Sequence, residues 1–361
     1  MKKIEDNASI NKGQFSLEPP EREAEFEKKR SFGVENFYLE NRKQWREYPI
    51  KFYVADYPLH VDIELSTICN LKCPMCYTNT EKFKTNVHSG YMQEKLFKKL
   101  IDECAEGNVF SIRLSLRGES LIHPKVIDFI DYAKKKGIKE VSTLTNGLQL
   151  NEDKFKKMMD AGIDWITISF DGLGRTYEKI RYPAKYDHAI KKISNYSKLK
   201  QDVNRIKPVI KIQTILPAIQ ENPKAFYDIF FPITDMVSVN PLIDYLSLDD
   251  QKKILYEKNF SCPQIYQRLV VGSDGLVLMC TNDLFGEQII GDANKQTIQS
   301  IWKSPKLEKA RLSNKYHRGG TDYNICAKCY LPRKTEKDYI KIGNRVVSIE
   351  NYLNRSQIIG T

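Results

Sequence analysis

No run of apolar residues in this 361-residue chain approaches the ~20 that a membrane-spanning helix requires. The opening stretch, MKKIEDNASI, is charged and has no apolar segment of the kind that directs secretion. The chain therefore reads as soluble and cytoplasmic, and no membrane partner is expected. Internal repeats and low-complexity tracts are absent too, which excludes solenoid and fibrous architectures. Although 57 Lys and Arg outnumber 46 Asp and Glu, for a net +11, no single tract holds the surplus. It reads as solvated helix faces, so no nucleic-acid partner is expected. At 41% hydrophobic the chain is globular. It is long enough for a large core and an accessory module. Eight cysteines in a reducing compartment argue for metal binding or catalysis before disulfides.

Residues 1–20 are polar, carry Pro19 and Pro20, and read as disordered. Residues 21–48 are charged and helix-permissive, with aromatics at Phe26, Phe32, Phe37, Tyr38 and Trp45. They read as one or two helices lying on the main domain. Six strand-like segments follow: HVDIELST, VFSIRLSLRGES, EVSTLTNG, DWITISFDG, VIKIQTILP and MVSVNPLI. Helical stretches separate them; in one, Met92, Leu96, Phe97, Leu100, Ile101 and Cys104 share a face. Such βα repetition predicts a parallel sheet.

Parallel strands buried on both faces are usually continuous apolar runs. These alternate instead. Ile112, Leu114 and Leu116 oppose Arg113, Ser115 and Arg117; Ile166, Ile168 and Phe170 oppose Thr167, Ser169 and Asp171. Lys211 and Gln213 share a face, as do Ser238 and Asn240. One face packs on helices and the other lines something wet. The fold class predicted is α/β, a partial (β/α)6 barrel of the TIM-like kind with a polar lumen. A small auxiliary module with a β-hairpin, RLVVGSDGLVLMC, and helices follows it. The expected organisation is an extension over 1–58, the partial barrel over 59–248, the module over 249–335 and a tail over 336–361. The tail has a possible strand in NRVVSI.

The cysteines form two sets. Cys262, Cys280, Cys326 and Cys329 can close a coordination sphere around zinc or an iron–sulfur cluster. The stretch CNLKCPMC holds Cys69, Cys73 and Cys76 and contains neither a histidine nor a fourth cysteine. Structural zinc sites are normally four-coordinate and closed. Three thiolates around a 4Fe–4S cluster leave one iron open to a non-protein ligand. The loop follows the first barrel strand, at the end of the sheet where α/β barrels keep their active sites.

CxxxCxxC at that place resembles the signature of the radical S-adenosylmethionine (SAM) superfamily. RGES at 117–120 is similar to that family's GGEP element, keeping Gly118 and Glu119, whose backbone is expected to contact SAM's amino group. TNG at 145–147 and ISFDG at 168–172 resemble strand ends that meet SAM through polar residues such as Asn146 and Ser169. Met75 holds the family's apolar position beside adenine. The spacing Cys262–Gly275–Cys280 and the segment IIGDANKQTIQSIWKSPKLEKAR resemble a SPASM domain in its shortened, single-cluster "twitch" form.

The resemblance implies two 4Fe–4S clusters and S-adenosyl-L-methionine as cofactors, with a flavodoxin- or ferredoxin-type electron donor. It implies reductive cleavage of SAM and hydrogen-atom abstraction from a C–H bond of a small-molecule substrate. The layout is most similar to sugar-modifying dehydrogenases. Arg113, Arg117 and Lys211 suit an anionic substrate. Asp244 or Glu64 would take a proton, and an auxiliary cluster with all its ligands from protein would move electrons. Cys104 is the one thiol left outside both sets and reads as a core residue. The alternatives are a sugar epimerase, a peptide-maturing radical SAM/SPASM enzyme and, in another class, a zinc-binding nucleic-acid protein.

Overall fold

The structure is a computed structural model; it describes residues 14–243, 245–246, 253–355 and 357–359. Its strands are β1 (Phe15–Ser16), β2 (His60–Ile63), β3 (Ser111–Arg113), β4 (Glu140–Thr145), β5 (Trp165–Ser169), β6 (Val209–Ile215), β7 (Met236–Asn240), β8 (Arg268–Val271), β9 (Leu276–Leu278), β10 (Ile289–Asp292), β11 (Thr335–Ile342) and β12 (Arg345–Tyr352). The six expected barrel strands are β2 to β7. All six run parallel in consecutive order, with helices in the crossovers. This is the partial-barrel core, and the ten-strand sheet containing it keeps β1 and β10 as its edges.

The outer face packs as the alternation requires. In the helix Glu94–Glu106, Leu96, Phe97, Leu100, Ile101 and Cys104 are all buried, at i, i+3 and i+4 spacing. Phe97 stacks on Phe129 of the next helix at 4.0 Å between ring centroids. Ile112, Val141, Ile166, Ile168, Ile210, Ile212 and Val237 complete this layer from the strands.

Three features differ from the sequence expectation. First, residues 14–20 are not loose. β1 pairs antiparallel with β7, and Leu17 is fully buried, donating its N–H to the Val237 carbonyl. Residues 1–13 lie outside the described set. Second, the auxiliary hairpin is not a separate sheet. β8 runs parallel to β2 along His60–Ile63, and β9 and β10 extend from it antiparallel. Third, the tail is a full hairpin, β11–β12, turning at Gly343 with φ +59° and burying Ile340, Ile342 and Ile349. The lysines and acids of KDYIKI hide β11's alternation because only its last turns face the core. The expected barrel–module boundary at 248/249 falls outside the described residues.

Two helices of the N-terminal extension, α1 (Pro20–Ser31) and α2 (Glu35–Lys51), lie against the N-terminal ends of the strands. Arg30 grips Glu140 of β4 with two hydrogen bonds, 2.6 and 2.9 Å. Its guanidinium also lies 4.3 Å from the centre of the Trp165 ring. Removing one partner of a buried ion pair strands the other and costs about 3–5 kcal/mol. Arg30→Met should therefore lower stability by about that amount. Adding Glu140→Gln should recover most of the loss, as read by urea denaturation of both variants.

Candidate active site and cluster-binding cavities

Cys69, Cys73 and Cys76 sit on the loop that leaves β2, respectively exposed, buried and half-buried. The end of β3 clamps this loop. Glu119 donates its N–H to the Ile68 carbonyl at 2.9 Å. Gly118 must be glycine there: an added Cβ would stand 2.4 Å from the Ser66 carbonyl oxygen. Asn146, at the end of β4, donates to Asn70 Oδ1 at 2.8 Å and comes within 3.8 Å of Cys69 Sγ. The Glu119 carboxylate turns inward and accepts from Leu121 N, Thr145 Oγ1 and Asn146 N at 3.0, 2.6 and 2.7 Å. Burial raises its pKa and these donors oppose the rise. Its side chain thus fastens the segment after β3 to the end of β4, while its backbone N–H holds the cysteine loop. Ser169 is buried at the end of β5, and Met75 joins the core beside Cys73.

Sequence reasoning missed Arg181. It pairs with Asp171 at 2.5 Å and approaches Cys73 Sγ to 3.9 Å from the crossover after β5. Its motif carries no signature, so only the fold brings it here. The donor set around the loop fits a cluster: three thiols from one loop, with side-chain N–H groups of Asn146 and Arg181 directed at two of the sulfurs.

Cys262, Cys280, Cys326 and Cys329 come together around one cavity of about 270 Å³. Asn282 donates to Cys329 Sγ at 3.2 Å and the Leu331 N–H at 3.4 Å. Among the described residues, no three His, Cys, Asp or Glu side chains converge tightly enough for a single metal ion. The four sulfurs line one common space, of the kind a polynuclear cluster occupies. Burial pushes these thiols up, Cys262 to about 12; a bound cationic cluster would displace their protons. Tyr245 lies within electrostatic reach of both Cys76 and Cys329.

A second cavity, about 370 Å³, occupies the polar inner face of the sheet and reaches Asn282 and Tyr330 of the module. Arg113 and Lys211 line it, as do Thr167, Gln213 and Asn240. Arg113 pairs with the buried Asp62 at 2.7 Å, and Arg268 holds the other oxygen at 3.1 Å. Burial alone would raise Asp62, but these two cations outweigh it and hold the carboxyl far below the usual range.

Arg117 and Glu64, expected at the substrate, are placed differently. They face each other in a fork of 2.7 and 2.5 Å, away from the cavity lining. Glu64 also accepts from Arg117 N and Ser273 N at 3.3 and 3.1 Å. A carboxylate so fully occupied, facing an arginine, has no free lone pair for a substrate proton. Neither Arg117, expected to meet the substrate, nor Glu64, expected to take a proton, lines this cavity. Asp244 lies outside the described residues. Sequence reasoning also missed the wall that the extension supplies: Gln14, Arg30, Arg42 and Trp45 all line the cavity.

Lys211 is 5% exposed, and its amine donates to Gln14 Oε1 at 3.1 Å. Arg30, Glu27 and the Trp165 ring, 5.8 Å from the amine, complete its surroundings. Burial, reinforced by Arg30 and opposed by Glu27, lowers its pKa to about 8. A lysine whose folded pKa is depressed costs stability below that value, and the cost fades as pH rises from about 8 toward ~10.4. Lys211→Met should raise Tm at neutral pH, with a gain that shrinks above pH 8. Thermal unfolding of the two chains across that range is the check.

Residues 63–219 match the family model for the radical SAM superfamily, and residues 262–330 match SPASM, an iron–sulfur cluster-binding domain. The tungsten-containing aldehyde ferredoxin oxidoreductase cofactor-modifying protein of Pyrococcus furiosus is 26% identical over 169 residues, 43% of this chain and 42% of that protein. The chain thus spans less than half the length of that relative. The fold is similar to the crystal structure of BtrN in complex with AdoMet and 2-DOIA, with TM-score 0.53 and 17% identity over 75% of this chain and 92% of that one. Streptococcus suis SuiB bound to S-adenosylmethionine gives TM-score 0.53 and 14% identity, over 76% and 73% of the two chains. The first domain implies a 4Fe–4S cluster and SAM, and the second implies auxiliary iron–sulfur ligation. The chain thus carries a radical SAM domain over residues 63–219 and a SPASM domain over residues 262–330.

Proposed function

We propose that this radical SAM enzyme oxidises a small polar molecule held in the lumen, removing two hydrogens. The observation that carries this reading is the 370 Å³ cavity, lined by polar strand residues and bounded by the N-terminal extension and the module. That size suits a small ligand. α1 and α2 close the lumen at the N-terminal ends of the strands, which bounds its depth. BtrN, whose complex contains 2-DOIA, supports a small-molecule substrate, whereas SuiB has been solved with a precursor peptide. The extension's place in the wall favours the former.

Cys69, Cys73 and Cys76 would hold the SAM-binding cluster, and Cys262, Cys280, Cys326 and Cys329 the auxiliary one. Bound there, these groups supply reductive SAM cleavage, hydrogen-atom abstraction and electron transfer. The protein's part is to bind and orient. The backbone of Gly118 and Glu119, with Asn146 and Ser169, would position SAM at the strand ends, and Met75 would pack beside its adenine. A flavodoxin- or ferredoxin-type protein would deliver the electron. Reconstituted chain should bind roughly eight irons, four per cubane. Replacing Cys69, Cys73 and Cys76 together by Ala should remove about half of them and abolish SAM cleavage. Replacing the four late cysteines should remove the other half. Iron analysis and 5′-deoxyadenosine assay read both; stoichiometric zinc at the late set would overturn its assignment.

Oxidation is favoured over epimerisation by the position of Cys104. Epimerisation must return a hydrogen atom, and a thiol is a suitable donor. Cys104 is fully buried between helix and sheet and does not line the cavity. Burial also pushes its thiol far up. Cys104→Ala should keep turnover, with a product two hydrogens lighter than substrate in mass spectrometry. Product of unchanged mass that carries one solvent deuterium, and forms only when Cys104 is present, would defeat the reading.

A further inference from the structure

The deep end of the lumen carries more positive charge and more unused N–H groups than the fold needs. Arg30, Arg42, Arg113, Lys211 and Arg268 all line the cavity. Among the described residues, the carboxylates that touch these five cations are Asp62, Glu140 and, from the outer side, Glu27. Arg30 is answered by Glu140, and Arg113 and Arg268 share Asp62. Among the described residues, Lys211 has only an amide oxygen as acceptor, from Gln14. Arg42 bonds to the side-chain oxygen of Asn41, which is also neutral. Around them, Arg42 Nε, Arg113 Nε, Arg268 Nε and the Trp165 indole N–H are buried without an acceptor. Buried donors without acceptors are costly, and each asks what it serves.

These groups are linked in space. Trp165 stands between the Arg30 guanidinium, at 4.3 Å, and the Lys211 amine, at 5.8 Å. Trp45 stands between Arg42 and Arg268 in the same way, at 5.0 and 5.1 Å. Parallel pairing brings Arg113 of β3 level with Ser142 of β4, and Ser142 level with Trp165 of β5. The donors therefore belong to one continuous wall. Half of it is strand residues and half is the N-terminal extension.

We propose that this wall is an oxyanion site, in which Lys211, Arg113, Arg42 and the Trp165 N–H hold a phosphate or carboxylate group of the substrate. The inference rests on the reading of the lumen as the substrate cavity and narrows the substrate to an anionic one. A charged oxygen supplies the acceptors that the wall lacks, and bonds between ionised partners are the strong ones. It also gives the extension a task, because α1 and α2 would complete the site as well as cover the barrel.

Calorimetric titration of the anaerobically reconstituted full chain tests this, at constant ionic strength and neutral pH. One arm uses inorganic phosphate and a second uses acetate; the arm that saturates more tightly identifies the group. Lys211→Met should weaken that binding at least tenfold while keeping or raising Tm, and Lys211→Arg should restore it to within a few-fold. Arg42→Gln, on the half-buried face of α2, is the second variant and should weaken binding at least threefold. Saturation unchanged in both Lys211→Met and Arg42→Gln, or no saturable binding of either anion, would overturn the proposal. Binding is read without turnover. A chain that binds anion but fails to cleave SAM overturns the preceding reading alone, and one that cleaves SAM but binds neither anion overturns this one alone.

Discussion

The buried ion pair between Glu64 and Arg117 is the joint on which the site depends. Glu64 closes β2, where the cysteine loop begins. Arg117 lies four residues beyond β3, one residue before the glycine that packs on that loop. The same carboxylate accepts the N–H of Ser273, in the turn of the module's hairpin. One side chain therefore fixes the cysteine loop, the SAM-facing strand end and the module relative to one another. A buried pair of this kind adds little net stability, because desolvating two charges offsets their attraction. Its value here is geometric: the Glu64 carboxylate joins three segments through Arg117 and Ser273. Neither residue can be spared for substrate.

Sheet continuity extends that joint. β2 pairs with β3 on one side and β8 on the other, both parallel. The module is consequently built onto the barrel's first strand, and its four cysteines are held on the same rigid support as the first three. Tyr245 lies within electrostatic reach of Cys76 in one set and Cys329 in the other. Around the other edge, β1 covers β7, and α1 and α2 cross the strand ends, so that the lumen is walled from both directions. Few residues of this wall carry a recognisable pattern, yet they decide the size and charge of what the cavity admits.

Much of this was legible in the chain. The six strands could be read because alternation of apolar and polar residues is a local property, visible in Ile112 to Arg117 as directly as in the fold. The three-cysteine loop was legible because its ligands are close in sequence and its spacing has little structural use. The wetness of the lumen followed from Thr167, Lys211 and Gln213 sharing inward positions. Glycine at 118 could be flagged by motif, but its reason is the Ser66 carbonyl 2.4 Å from where a Cβ would stand.

The sequence by itself determined the strand pattern, the two cysteine sets and the sign of the lumen's charge. Tertiary structure alone decided which charges are free. Arg113, Arg117 and Lys211 look equivalent along the chain, but Glu64 takes Arg117, Asp62 is divided between Arg113 and Arg268, and among the described residues Lys211 meets only an amide. Those partners come from residues 51 to 206 positions away, and pairing between distant charges leaves no periodic trace in a sequence. The same holds for Arg30 and Arg42, which read as solvated helix residues until the fold carries them to the cavity. Whether a charged side chain is solvated, paired or waiting for a ligand is set by what surrounds it in three dimensions, because burial and long-range partners fix its energy.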